Sequence, residues 1–329
     1  MTLHALGWSS RFALHVKEDG EEIQRIPVRV IAQHRHTLVV HDGTNEIELP
    51  ALGKWFRDKQ STQPTVGDWL IFSQQDVSRT RILPRESEIQ RLVKARRTAQ
   101  VIAANVDLLL VIIACNDDFS ESKLERYLAL AEAAGVDAHV VFSKMDLNPN
   151  YAQIVERARP LLFDIECTTV NCLDAETLGT IRLLFTTQIT GLVVGSSGVG
   201  KSTLTNTLVG ESVQKTQRTR SKDEKGRHTT SARRLVHIPT GGLIIDVPGI
   251  RELALTGVAE SLPRTFPDIE SLAQECAYRD CAHEQEPNCR VRTALRDGVL
   301  DKRRLKNYNR IRIQLSPAFS PHAPKEIEV

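Results

Sequence analysis

The segment Gly195-Ser196-Ser197-Gly198-Val199-Gly200-Lys201-Ser202 limits what this chain can fold into more than any other. It fits the pattern G-x-x-x-x-G-K-[ST] without a mismatch. An apolar run at 191–194 precedes it, and a helix-patterned run at 203–208, stopped by Gly210, follows it. Strand, glycine-rich turn and helix form the context in which this pattern cradles phosphate. Glycines let the backbone curl until successive N–H groups point at phosphate oxygens. The helix start, which includes Thr203, adds a favourable dipole. Lys201 supplies a cation for the β- and γ-phosphates, and the Ser202 hydroxyl is placed to ligate Mg²⁺.

The flanking sequence agrees with an α/β layer. Residues 106–115 are continuously apolar, as expected of a strand buried on both faces of a parallel sheet. Helical spacing over 122–134 stops at Gly135, and strand and helix patterns then follow at 137–142 and 151–162. This alternation indicates a layered domain over 98–258. Upstream, β-type runs at 26–32, 37–40, 46–49, 68–72 and 79–83 are separated by turn residues such as Asp42-Gly43. Five such runs suit a small barrel, with an OB-fold the first candidate and an SH3-like barrel nearly as compatible. That unit, with its linker, is assigned to 1–90, and residues 85–100 read as a polar, basic connector. Beyond Pro263 the chain becomes polar, cysteine-bearing and then helical and basic, which defines a third unit over 262–329. A length of 329 residues favours such a division, because single cores rarely grow beyond about 250 residues.

Two further loops suggest what the phosphates belong to. Residues 243–249 form an apolar strand ending in Asp246-Val247-Pro248-Gly249, a D-x-x-G element. Asp246 would hold Mg²⁺ through water, and the Gly249 N–H would sense the γ-phosphate. Ser143-Lys144-Met145-Asp146 follows the 137–142 strand and is similar to the N-K-x-D base loop of GTPases. An aspartate there accepts from guanine N1–H and from the exocyclic amine, whereas adenine would leave it unpaired. Lys144 would lie along the base. Ser143 stands where Asn is usual and reaches less far, which lowers base affinity while Asp146 keeps selectivity. Residues 170–172 are a positional candidate for a fifth loop at guanine O6.

Between the phosphate loop and D-x-x-G lies Gly226-Arg-His228-Thr229-Thr230, where Thr229 or Thr230 would complete the Mg²⁺ shell. Ile250 occupies the place of the water-orienting glutamine of Ras-like enzymes. Slow intrinsic turnover is expected, with His228 or a partner's group positioning water. The loops also run in rotated order, base loop before phosphate loop before D-x-x-G. Chemistry tolerates this, because all of them gather at the carboxyl edge of one sheet.

Cys276-x4-Cys281-x-His283-x5-Cys289 offers three thiolates and one imidazole, the ligand set of a closed structural Zn²⁺ site. Cys115, Cys167 and Cys172 read as buried apolar residues. The basic, helix-spaced stretch 290–312 reads as a phosphate-binding surface. A net charge of +2 is too small to imply a nucleic-acid partner without such local clusters. Residues 1–10 lack a secretion signal, and the apolar run at 108–115 is far short of the roughly 20 residues that cross a bilayer. A cytoplasmic protein with no membrane partner is expected.

In this order, the barrel, S-K-M-D, G-S-S-G-V-G-K-S, G-R-H-T-T, D-V-P-G and C-x4-C-x-H-x5-C resemble the RsgA (YjeQ/YloQ) family of circularly permuted GTPases. The resemblance covers nearly the whole chain. It implies an α/β P-loop GTPase domain, circularly permuted, with an N-terminal β-barrel (OB-fold) and a small zinc-binding α-helical domain at the C-terminus. It further implies binding to the 30S ribosomal subunit through 16S rRNA, help in its late maturation, and subunit-stimulated hydrolysis of GTP to GDP and phosphate. The family's zinc ligands carry over to Cys276, Cys281, His283 and Cys289. A monomer is expected. Ser143 and Val247, the latter where D-T-P-G has Thr, depart from the family pattern. The alternatives are a nucleotide-gated RNA-binding regulator with incidental hydrolysis, and an ATP-using P-loop kinase, against which Asp146 argues.

Overall fold

The computed structural model describes residues 1–16, 25–34, 37–50, 52, 53, 55, 63–93, 98–210, 233–247 and 262–315. Helix α1 (Ser10–Leu14) precedes strands β1 (Arg25–Gln33), β2 (Thr37–His41), β3 (Glu46–Pro50), β4 (Trp69–Ser73) and β5 (Arg81–Ile82). These fall on the five β-patterned runs of the sequence. β1 pairs antiparallel with both β2 and β4, β2 with β3, and β4 with β5. The spatial order β4-β1-β2-β3 is a Greek key, the connectivity an OB-type barrel requires. A meander joining β3 to β4 does not occur among the described residues. Side-chain alternation in β4 explains how the barrel is filled. Leu70 and Phe72 join Val28, Val30, Leu38, Val40 and Leu49 inside it, while Trp69 and Ile71 face Leu6 and Phe12 of the N-terminal segment.

Strands β6 (Glu88–Val93) and β7 (Thr98–Ala104) form an antiparallel hairpin that takes up most of the 85–100 stretch read as a connector and runs four residues beyond it. Ile89 and Ile102 are fully buried in the core of the α/β domain. Polar residues between such anchors hide the strand pattern from composition, and this explains the misreading.

The α/β domain comprises β8 (Leu108–Ala114), α2 (Glu121–Ala133), β9 (Asp137–Ser143), α3 (Tyr151–Leu162), β10 (Cys167–Thr169), α4 (Gly179–Leu184), β11 (Thr190–Gly195), α5 (Lys201–Val209), β12 (Arg233–His237) and β13 (Leu243–Asp246). Its strand order is β10-β9-β8-β11-β13-β12, with all but β12 parallel. Every residue of β8 is buried. Leu109, Val111 and Ile113 pack with Leu124 and Leu128 of α2, and Leu108, Leu110 and Ile112 pack with Leu204 and Leu208 of α5. Two apolar faces account for the unbroken apolar run.

The barrel is joined to this sheet by backbone pairing. Edge strand β12 pairs with β1 at Ala32↔Arg234 and Gln33↔Arg233, giving one eleven-stranded sheet. Arg29 of β1 is buried and donates to the carbonyls of Leu6, Gly67 and Asn105. Burial lowers its pKa to about 10, against the opposing charges of Asp107 and Asp68. One guanidinium thus ties the N-terminal segment, the barrel and the entry to the α/β domain.

The last unit contains α6 (Leu262–Thr265), α7 (Pro267–Gln274), α8 (Arg290–Arg296) and α9 (Lys302–Leu315). Phe266, Val291, Tyr308 and Ile311 share a core cluster with Leu124 and Leu128 of α2, so the unit is seated on that helix. Fully buried Glu125 of α2 accepts from Arg304 at 2.7 Å, Arg303 at 3.0 Å and Asn307 at 2.6 Å. Arg304 also makes a two-pronged pair with Asp268, both contacts at 2.6 Å, and lies over the Phe266 ring. Arg312 turns inward too, to carbonyls of the cysteine-bearing loop. Three arginines of the stretch that reads as a phosphate-binding surface therefore hold the unit together. Lys302, Lys306 and Arg310 of α9 remain exposed.

Candidate nucleotide and metal sites

The carboxyl ends of the five parallel strands form one edge, and the candidate loops leave from it. β11 ends at Gly195 and α5 begins at Lys201, with Gly200 as its N-cap at φ 107°. Gly195 has φ 149°, and a Cβ there would lie 2.5 Å from the Ile112 carbonyl of β8. Only glycine allows the chain to turn that close to its neighbour. Ser197, Gly198 and Ser202 are exposed, Ser196 and Thr203 are half-buried, and Val199 is buried beneath the turn. Lys201 Nζ donates to the carbonyls of Gly195 at 2.9 Å and Ser196 at 2.7 Å, so the ammonium lies over the loop. Partial burial lowers its pKa. A phosphate would relieve that desolvation by supplying negative charge.

The base loop is stitched to the phosphate loop. Ser143 ends β9 and is fully buried; its Oγ donates to the Val199 carbonyl at 2.6 Å, with the Ile113 carbonyl at 3.3 Å. The sequence alone judged Ser143 by its reach toward the base. Its hydroxyl is instead used to join two loops. Lys144 adopts a left-handed conformation, φ 60°, and begins a short 3₁₀ turn over Met145–Leu147. Asn148 Nδ2 fastens this turn to the Cys115 carbonyl at 3.0 Å. Lys144 and Met145 are half-buried and Asp146 is exposed, open to a ligand.

Residues 170–172 follow β10 into the same place. Cys172 Sγ lies 3.5 Å from the position of a Cβ on Gly200, and the Cys172 carbonyl accepts from Thr207 of α5 at 2.7 Å. Burial pushes its thiol up to about 11; the Asp146 carboxylate adds to the rise and Lys144 opposes it. Cys172 is thus the buried apolar residue its pattern implies and also part of the wall between base loop and phosphate loop. Asp246 closes β13 at the same edge, with its side chain exposed. His228, Thr229, Thr230, Gly249 and Ile250 lie outside the described residues.

Cys276, Cys281, His283 and Cys289 converge, their ligand atoms all within 4.8 Å of one another. Cys276 Sγ is 3.8 Å from Cys289 Sγ and 3.8 Å from His283 Nδ1, which is 3.5 Å from Cys289 Sγ. A tetrahedral ion with Zn–S bonds of about 2.3 Å has S···S edges of about 3.8 Å, so this donor set fits zinc. Cys289 also caps α8, its sulfur accepting from the Arg292 N–H at 3.5 Å.

Sequence reasoning missed Glu125. An acid beside Leu124 and Leu128, in the buried stripe of a helix, signals a partner cation elsewhere in the chain. Burial raises the pKa of Tyr127 on the same helix, and nearby Ser196 of the phosphate loop opposes the rise.

Comparison with known proteins gives a consistent picture. The family model described as RsgA GTPase matches residues 82–256. The small ribosomal subunit biogenesis GTPase RsgA 2 of Vibrio vulnificus (strain CMCP6) is 40% identical over 312 residues, 93% of this chain and 86% of its own length. The small ribosomal subunit biogenesis GTPase RsgA of Xanthomonas campestris pv. campestris (strain B100) is 37% identical over 94% of this chain and 85% of its own length. Among solved structures, YjeQ from Thermotoga maritima superposes with a TM-score of 0.64 at 21% identity, covering 89% of this chain and 99% of that one. YloQ, described as a circularly permuted GTPase, gives 0.60 at 24% identity, covering 91% and 97%. The last two likenesses establish the fold.

Proposed function

The chain belongs to the RsgA GTPase family, and from that premise we propose that it binds the 30S ribosomal subunit and assists its late maturation. As a member of that family it is a GTP hydrolase. In the reading we favour, residues 195–203 cradle the phosphates, Lys201 neutralises charge developing on them, and Asp146 selects guanine with Lys144 along the base. Ser202, Asp246 and Thr229 or Thr230 surround Mg²⁺, and His228 positions water. Cys276, Cys281, His283 and Cys289 hold one structural zinc.

The observation that carries the nucleotide site is the 2.6 Å bond from Ser143 to Val199, which brings the base loop against the phosphate loop despite their inverted order. Units 1–90 and 262–329 would grip 16S rRNA, with Lys302, Lys306 and Arg310 among the phosphate-facing groups. β12, the first described element after the segment expected to complete the Mg²⁺ shell, is paired with β1 of the barrel, and this supports a grip that changes with the nucleotide. No described helix is long and apolar enough to cross a membrane, in keeping with work on ribosomal particles in the cytoplasm.

The decisive measurement is the rate of phosphate release from GTP with and without purified 30S subunits. Stimulation is expected, together with tighter subunit binding in a non-hydrolysable GTP analogue than in GDP. An unchanged rate would return the choice to a nucleotide-gated regulator.

A further inference from the structure

We propose that Glu286 is the positioning residue of the metal site, holding the Cys281–His283 backbone in ligating shape before an ion arrives, with Arg312 as its counterpart on the opposite side. This rests on the reading that Cys276, Cys281, His283 and Cys289 bind zinc. Glu286 Oε1 accepts from the Ala282 N–H at 2.7 Å, and Oε2 accepts from the N–H groups of Glu284 at 2.9 Å and Gln285 at 3.0 Å. Those amides flank His283, whose φ of 62° is left-handed and unfavourable for a side chain of its size. Such a conformation persists only where its surroundings over-determine it. From the other direction the Arg312 guanidinium donates to the carbonyls of Cys281 at 3.5 Å and Ala282 at 3.1 Å. Opposite charges thus hold the N–H groups of residues 282, 284 and 285 and the carbonyls of 281 and 282, so both neighbours of the ligand His283 are tied, as is the ligand Cys281.

Neither group belongs to the ligand set, since three thiolates and one imidazole fill a tetrahedral ion. Their part is to fix where the ligands stand. Arg312 also lies over the Tyr308 ring, which packs 6.4 Å from the His283 ring, so the imidazole plane is fixed by the same helix. A loop already in shape loses less conformational freedom when it binds. Outer partners of this kind typically alter metal affinity by about 10–100-fold.

The test uses the full chain with Glu286→Gln. An amide has one acceptor oxygen and would turn an NH₂ group toward amides that also donate, so the size is kept and the bonding is lost. Zinc affinity, read by competition with a chromogenic chelator, is expected to fall by about 10–100-fold, with far-UV circular dichroism and GTP affinity unchanged. The exposed neighbour Glu284, changed to Gln, should bind zinc like the wild type. Cobalt-loaded protein adds a readout that a merely structural role would not move: the ligand-field bands of a tetrahedral site should broaden in Glu286→Gln alone. Zinc affinity within twofold of wild type overturns the proposal. Should that variant fail to accumulate, Arg312→Lys carries the test with an expected several-fold loss, and an unchanged affinity there is equally fatal. Wild-type protein that holds no zinc sinks the metal reading itself. A zinc-bound wild type with an indifferent Glu286→Gln sinks only this inference.

Discussion

The phosphate loop and the metal knuckle are both short loops that gather polar atoms, but they are shaped by different means. In the phosphate loop the backbone does it. Gly195, Gly198 and Gly200 all take positive φ, and Gly195 approaches the Ile112 carbonyl so closely that no side chain fits. The strand before it and the helix after it fix the rest. The knuckle has no glycine between Cys276 and Cys289, and its left-handed positions are taken by His283 and Asn288. Side chains from outside the ligand set, together with the ion the site fits, must offset that strain. A loop shaped by backbone should therefore keep its form without its ligand, whereas in the knuckle Glu286 and Arg312 hold only the turn at 281–285, so its closure onto Cys276 and Cys289 should depend on the ion.

The largest test removes the ion. Cys289→Ser should cost much of the zinc contribution, on the scale of about 10–16 kcal/mol for small zinc units. Protease cleavage should then appear within residues 276–315, while GTP affinity stays near that of the wild type. A joint loss of both would erase the distinction. Next in size is Glu125→Ala, which removes the buried acceptor shared by Arg303, Arg304 and Asn307, leaves Arg304 to Asp268 and Arg303 to Glu121, and should cost about 3 kcal/mol. Here the knuckle should keep its zinc while the unit loosens from α2, seen as earlier thermal unfolding. Zinc loss in Glu125→Ala would mean that the knuckle is shaped by its seat on α2 as well as by its own loop.

The same distinction explains what the sequence disclosed. The glycine-rich turn after β11, the turn after β9 and the convergence of Cys276, Cys281, His283 and Cys289 were legible because each depends on residue types at fixed local spacing. The five barrel runs and the buried β8 were legible because alternation or continuous apolarity is local too. What escaped notice was non-local or mixed in composition. The β1–β12 pairing joins residues about two hundred positions apart, and nothing in either strand names its partner. The hairpin over 88–104 is anchored by Ile89 and Ile102 but is otherwise polar enough to resemble a linker. On α9, Arg303 and Lys306 read alike as letters, yet one faces Glu125 and the other faces solvent. Charge counts cannot distinguish a clamp from a binding surface.

A third, smaller effect tests the backbone half of the comparison. Gly195→Ala places a methyl 2.5 Å from the Ile112 carbonyl at a φ that side chains rarely adopt, so strain of about 1–3 kcal/mol is expected. GTP affinity should fall by roughly 5–150-fold, measured by titration of a fluorescent analogue, with zinc content unaltered. Normal affinity would show that the turn can give way, and that its shape is less dictated by backbone than the close approach implies.

The smallest effect concerns the stitch between loops. Ser143→Ala removes the hydroxyl that donates to Val199 and leaves that carbonyl without this partner, at a cost of about 1 kcal/mol. If the phosphate loop is held by its glycines, losing one bond should move the base loop rather than the phosphate loop. GTP affinity should drop by roughly fivefold, while the preference for GTP over ATP stays intact because Asp146 is untouched. Competition of both nucleotides against one labelled ligand reads the two quantities together. A fall in preference instead of affinity would mean that Ser143 acts on the base after all, and that the two loops are less rigidly joined than a 2.6 Å contact suggests.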